Sequence, residues 1–240
     1  MVTFEAEINN KKVKLYSNAP LKNAATALLR TLNQLSQQTN IFSPNFALNY
    51  GWARYYLSKR KDKNAAYYVI QTADYQNDPM NLRTDDCTTP LIVQNMQVDT
   101  NVKAKVREPE PTLYSDTILV LKDAINAKDV YMNRSEATKN GDSGWYFGLL
   151  NDENEGKHET DELVNMPSYE LMKFRGEALR VLQMPVGTVA VFHENTMTAL
   201  VDKDDNPLEF TTRDDRERAI AQRKAAEAAE SENNKEDSGE

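Results

Sequence analysis

The spacing of apolar residues changes once near the start of the chain, and that change commits the chain to a mixed fold. Val2, Phe4, Ala6 and Ile8 alternate with polar neighbours, Asn9-Asn10 follows, and Val13 and Leu15 resume the alternation. A period of two puts every second side chain on one face, so this stretch reads as a β-hairpin turning at the asparagines. Leu21, Ala25, Leu28, Leu32 and Leu35 then recur at steps of four and three. That is the stripe of a helix with one face to bury. Asn18 offers an N-cap and Pro20 a first-turn proline. An apolar strand face and an apolar helix stripe need each other, which predicts a sheet with a covering helix.

Further along, "SPN" at Ser43–Asn45 breaks the pattern, and two aromatic strand-like runs follow, WARYYLS and AAYYVIQTA, around the charged turn KRKDKN. TPLIVQNMQV reads as another strand. VREPEPTLYSD, with two prolines, is the clearest boundary. Beyond it TILVLK, DVYMNR, SGWYFGLL, GTVAVFHE and TMTALVDKDDNPLEF read as strands. Leu171, Phe174, Ala178 and Leu182 suggest one helix, which Gly176 interrupts. Thr212 with Asp215 resembles a capping box for a charged terminal helix, and the tail SENNKEDSGE has the composition of a disordered segment. The expected architecture is α+β: two units, each an antiparallel sheet with a covering helix. Residues 1–108 form the first, 109–115 a linker, 116–211 the second, and 212–240 the charged helix and tail.

Charge is divided unevenly. Residues 1–110 hold 14 Lys+Arg and 10 Asp+Glu, whereas residues 111–240 hold 15 and 27. An acidic half repels phosphates and suits a basic protein partner, because complementary fields speed encounter and suppress wrong pairings. No apolar run approaches the roughly 18 residues of a membrane span. MVTFEAEINNKKVKLY has no continuous apolar stretch of the kind a signal peptide carries. With a single cysteine, Cys87, the expected compartment is a reducing cytoplasm.

The chain contains GDSG at Gly141–Gly144, the tetrapeptide that surrounds the nucleophile of trypsin-like proteases. That mechanism needs a histidine and an aspartate preceding the serine. Both histidines, His158 and His193, follow Ser143. An α/β-hydrolase elbow needs G-x-S-x-G, and here Trp145 occupies the final glycine position. The stretch reads better as a turn, with Asp142 bonding to local backbone amides. Cys87 sits beside Asp85 and Asp86, which raise a thiol's pKa rather than activate it. Neither histidine has a metal-binding spacing, and no phosphate loop or dinucleotide fingerprint is present, so no metal or cofactor is expected. A basic aromatic cluster, Arg54, Tyr55, Tyr56, Lys59, Arg60, Lys61, Lys63, Tyr67 and Tyr68, allows an alternative role in nucleic-acid binding. Tyrosine pairs on adjacent strands with lysines at the turn also fit ordinary sheet filling.

The second half carries a recognisable pattern: a short strand ending in Arg134, then Asp142-Ser143-Gly144-Trp145, Phe147, and later Pro185 and Gly187 in PVGTVAVF. Over about residues 115–195 this resembles family thirty-three of the predicted bacterial immunity proteins. Many members follow the aromatic residue with a tight Gly-Asp-Glu turn, where this chain has Gly148-Leu149-Leu150-Asn151-Asp152-Glu153. The resemblance implies a non-enzymatic protein that binds and neutralises a cognate toxin of a polymorphic or contact-dependent secretion system, and many such toxins are basic. The positions to test are Arg134, Asp142, Trp145, Tyr146 and the acidic loop residues Asp152, Glu153, Glu155, Glu159, Asp161 and Glu162. On a strand Trp145 and Tyr146 face opposite ways, with Trp145 the better core residue. Arg134 and Asp142 are placed to pair across a hairpin. A motif shared by a family suits scaffolding, and contacts that discriminate partners suit loops.

Overall fold

The computed structural model describes residues 1–62, 65–154 and 156–212, together with residues 215, 217, 218 and 221. Two six-stranded sheets and a few helices form an α+β molecule. In the first sheet the opening hairpin is β1 (Val2–Ile8) and β2 (Lys11–Ser17), paired in register from Val2↔Ser17 to Ile8↔Lys11. A 3-10 turn at Ala19–Leu21 leads into α1 (Lys22–Leu35), whose buried residues Ala25, Leu28 and Leu32 meet Ile8, Val13 and Leu15 in the core. Asn18 stands at the cap position but its side chain makes no capping bond. Its backbone N–H donates instead to Thr88 Oγ1 at 3.2 Å.

Strands β3 (Ala47–Tyr50), β4 (Ala53–Lys61), β5 (Ala66–Ala73) and β6 (Arg83–Thr84) complete this sheet in the order β1-β2-β5-β4-β3, with β6 on β5. The β2–β5 pair is parallel, so the expected all-antiparallel sheet is mixed. The reason lies in the connection: α1 with β3 and β4 carries the chain across the sheet, and that length permits a parallel return.

The largest departure from the sequence reading is TPLIVQNMQV, which is helical rather than extended: α2 spans Thr88–Lys103. Its buried residues include Gln97, Thr100 and Asn101, while Ile92, Val98 and Val102 face solvent. Polar residues inside and apolar ones outside erase the 3.6-residue apolar period by which a helix is recognised.

The second sheet has the order β10-β7-β9-β8-β11-β12, with β7 (Thr117–Leu121), β8 (Asp129–Arg134), β9 (Asp142–Leu149), β10 (Leu163–Pro167), β11 (Val189–His193) and β12 (Thr196–Val201). β9 hairpins back from β8 and inserts beside β7, making β7–β9 the single parallel pair of this sheet. One face carries Ile118, Val120, Val130, Met132, Trp145, Phe147, Ala190 and Phe192 into the core. Instead of the one helix expected there, 168–182 holds a 3-10 turn, the short helix Leu171–Phe174 and a second 3-10 segment, Gly176–Val181. The break falls at Arg175-Gly176, where Arg175 leaves helical backbone (φ −148°, ψ 62°). Thr212 and Asp215 exchange hydrogen bonds as a capping box does. The remainder of the charged terminal helix and the tail lie outside the described residues.

A buried polar seam joins the two sheets along α2. Gln97 donates to Leu179 O and accepts from Gln183, and Gln183 accepts in turn from Asn101. The guanidinium of Arg180, 2% exposed, reaches Thr100 Oγ1, the Thr211 carbonyl, Glu177 and Asp99. Trp52, in the turn between β3 and β4, donates to Ser168 Oγ at 2.8 Å, and Ser168 donates to Leu113 O. The intervening chain is hydrogen-bonded to both sides: Tyr114 N–H donates to Trp52 O and Thr112 N–H to Leu182 O. Removing one partner from such a network strands the others without water. Arg180→Ala is therefore expected to lower the unfolding free energy by about 3 kcal/mol or more, measured by urea denaturation. Arg180→Lys should recover only part of the loss, because an ammonium cannot span the positions that the planar fork reaches.

Candidate functional site

GDSG forms a bulged corner at the entrance to β9. Between Thr117↔Asp142 and Leu119↔Tyr146 the strand β9 gains two residues on β7, and Ser143 and Gly144 lie in that excess. Asp142 accepts from Thr138 N–H and Oγ1, each at 2.8 Å, and from Gly144 N–H at 2.9 Å. The Thr138 amide first, then that of Gly144, holds its carboxyl below the usual range. Gly144 has φ +73°, and a Cβ there would stand 2.0 Å from Ser135 O, so only glycine fits. Ser143 is 4% exposed; its Oγ donates to Thr117 O at 2.7 Å and accepts from Trp145 N–H at 3.2 Å. The hydroxyl is committed to the backbone. The histidines are engaged elsewhere, His158 with Asp152 and Glu162, and His193 with Asp129. Cys87 is fully buried, and burial followed by Asp86 and Asp85 pushes its thiol far above its ordinary pKa.

The expected Arg134–Asp142 pair does not form. Arg134, 9% exposed, turns inward: it donates to Glu110 O at 2.7 Å, Met184 O at 2.5 Å and Ser143 O at 3.3 Å, with the Glu110 carboxylate 3.9 Å away. Burial lowers its pKa and Glu110 opposes the shift. Asp142 already has three donors from its own turn and Gly144, so the corner closes locally. Arg134 thus ties the bulge to residues 110 and 184. Trp145, opposite Arg134 in the β8–β9 register, is 1% exposed in the core. Tyr146 faces the other way.

That other face of the second sheet is the open one. Leu119, Tyr131, Asn133, Ser135, Tyr146, Gly156, His158 and Leu163 line a concavity of about 380 Å³. Tyr131 and Tyr146 meet edge to face, with ring centres 5.8 Å apart. Gly148 makes this possible, because a Cβ there would lie 2.4 Å from the Tyr146 ring. One wall is the acidic loop, fixed by its histidine. His158 joins Asp152 at 2.5 Å and Glu162 at 3.3 Å, while Glu162 also accepts from Glu159 N–H at 2.7 Å. Lys122 Nζ donates to Asp161 O. Glu153, Glu159, Asp161 and Glu162 remain exposed; Glu155 lies outside the described residues. A neighbouring depression containing Glu136, Thr138, Lys139 and Asp142 shares Leu119, Ser135 and Tyr146 with the first.

The sequence reading had singled out Tyr146 and the acidic loop but not Tyr131, Asn133 or Leu119. Their signal was present in the alternation of DVYMNR, where Tyr131 and Asn133 occupy the positions between the buried Val130, Met132 and Arg134. The basic aromatic cluster is divided by the pleat. Tyr55 and Tyr68 face the core side with Lys59 and Lys61, whereas Arg54, Tyr56, Arg60 and Tyr67 face outward. On the outer side Arg83 lies 3.5 Å from the centre of the Tyr56 ring and Lys14 Nζ 4.5 Å from that of Tyr67, so cations already cover ring faces that bases would stack on. Lys63 lies outside the described residues. Among the described residues no helix is long and apolar enough to cross a membrane, and none forms a cluster of three metal-ligating side chains.

Residues 96–203 match the family model of the Imm33-like domain, a segment that starts within α2 and contains both the D-S-G-W corner and the concave face. A search of curated proteins and of solved structures finds no match.

The corner and the loop give separate expectations. Gly144→Ala should cost about 3 kcal/mol or more, from positive φ together with the clash at Ser135 O. Ser143→Ala should cost about 2 kcal/mol, because it leaves both Thr117 O and Trp145 N–H without the hydroxyl. Urea denaturation of both variants checks the ranking. In the loop, the Asp152 and Glu162 carboxylates raise the His158 pKa, so its stabilisation is complete below the unfolded value of about 6.5 and is lost as pH rises through the folded value. The Asn154 amide and then His158 lower the Asp152 pKa, so that contribution is complete above about 3.9 and is lost as pH falls through the folded value. Amide protection across residues 151–162, corrected for intrinsic exchange, should peak between these limits. His158→Gln should remove the alkaline decline and weaken the acid one, leaving the part of the Asp152 shift that the Asn154 amide supplies.

Proposed function

We propose that this protein is an immunity-type binder, which neutralises a toxin of a bacterial polymorphic or contact-dependent secretion system by covering the toxin's active surface. In this reading it acts in the cytoplasm of the producing cell and performs no catalysis. One observation carries the proposal. Within the segment that matches the Imm33-like domain, one sheet face is packed into the core while the other carries a concavity walled by Gly156 and His158 of the acidic loop. Contacts on loops can vary between relatives without disturbing the corner that holds the sheet together.

The chemistry of the wall points to a basic toxin. Between residues 151 and 162 six carboxylates stand against one lysine, a field that steers a cationic partner and repels an anionic one. In this reading Asp142, Tyr146, Glu153, Glu159, Asp161 and Glu162 meet it. Arg134 and Trp145 serve from beneath, by holding the strand that presents Tyr146.

Co-expression with a secreted toxin encoded next to this gene should give growth rescue and a stable complex. Tyr146→Ala and the double charge reversal Glu153→Lys, Glu159→Lys should each weaken the complex about tenfold or more, measured by calorimetry, with unchanged circular dichroism. Full affinity in both variants would exclude this face, and failure of every neighbouring toxin to bind or be neutralised would exclude the function.

A further inference from the structure

We propose that the concavity over β7, β9 and β8 is a receptacle for one arginine side chain of the partner protein, an inference that rests on the binding role argued above and specifies its anchor. Four features of the cavity select this occupant. The space, about 380 Å³, stands near the lower end of ligand pockets, roughly 300–1,000 Å³, which suits a single long side chain. Tyr131 and Tyr146, edge to face at 5.8 Å, offer an aromatic wall against which a flat cation is attracted. Asn133 Oδ1 is buried without a hydrogen-bond partner, a state that an incoming N–H donor relieves and that an apolar or anionic occupant leaves in place. Among the described lining residues is His158, whose imidazole holds the Asp152 and Glu162 carboxylates at 2.5 and 3.3 Å. This trio is net negative whether the imidazole is protonated or neutral. No lysine or arginine is among the described residues that line the cavity.

Arginine is favoured over lysine because its planar group can lie along the tyrosine wall while its edge donates to Asn133 and to the exposed Glu162 carboxylate. Leu119 and Leu163 would then surround the methylene stem, which supplies the apolar contact that long cationic side chains use. The occupant is thus an anchor of the kind that dominates interface energetics: one side chain, centrally placed and desolvated.

The test uses the full chain and a small probe, N-acetyl-arginine amide, with the neutral isostere N-acetyl-citrulline amide as control, in a nitrogen-15 NMR titration up to about 50 mM, a range that captures weak single-side-chain binding. The expected result is saturable shifts of the Asn133 side-chain amide and of the Tyr131 and Tyr146 backbone amides, with citrulline at least about fivefold weaker. Asn133→Asp, which adds a carboxylate, should tighten arginine about threefold or more, and Tyr146→Leu should weaken it by a similar factor. No saturable shift, equal response to citrulline, or shifts centred elsewhere would overturn the proposal. A toxin complex that forms normally while the probe fails removes the receptacle and leaves the function standing. Probe binding without any toxin complex does the reverse.

Discussion

The fold depends on a polar contact made where a hydrophobic one would be expected. α2 presents Gln97, Thr100 and Asn101 to the interior, and the second unit answers with Arg180 and Gln183. Buried polar groups lose much when their bonds are broken, so the seam favours one arrangement of the two sheets and penalises small displacements. Apolar packing alone tolerates sliding, whereas this network fixes register. The concave face is tied to this seam through Arg134 of β8, which donates to Met184 O, the residue after Gln183.

A second constraint acts closer to the site. Arg134 gathers carbonyls from residues 110, 143 and 184, and the Ser143 hydroxyl closes onto Thr117. Together they hold a two-residue excess in β9 that a regular ladder would expel. An excess of two leaves the alternation intact, so Ser143, Trp145 and Phe147 stay on the core face and Tyr146 on the outer one, while the register of β9 against β7 moves by two residues. The tetrapeptide that looks like a nucleophile's surroundings is there for this geometry. Its serine, buried and doubly bonded, holds the shifted register.

Legibility followed the hydrophobic pattern. The opening hairpin, α1 and most strands of the second sheet could be read because alternation or stripe survived in their residues. α2 could not, since its inward face is polar and Ile92, Val98 and Val102 are exposed. The covering helix of the second unit was read as continuous because Leu171, Phe174, Ala178 and Leu182 keep helical spacing across a break that the backbone makes at Arg175. For the site, Tyr146 and the acidic loop were identifiable from the motif and from charge. The Arg134–Asp142 pair was misread because sequence separation says nothing about donors nearer by, and Thr138 with Gly144 satisfies Asp142 first. The alternation of β8 puts Tyr131 and Asn133 on the outward face, but their meeting with Tyr146 follows from the β8–β9 pairing, which the local sequence does not announce.

The missing side chain at position 148 has a consequence for how this surface can diversify. Tyr146 rests in space that a methyl group would fill, so the depth of the hollow is set by one backbone atom rather than by the residues around the rim. Relatives carrying a larger residue there would lift the ring outward and shallow the hollow at a stroke, with the loops unchanged. Partner choice would then have two independent controls: a gradual one in the loop sequence, and an abrupt one hidden in the floor.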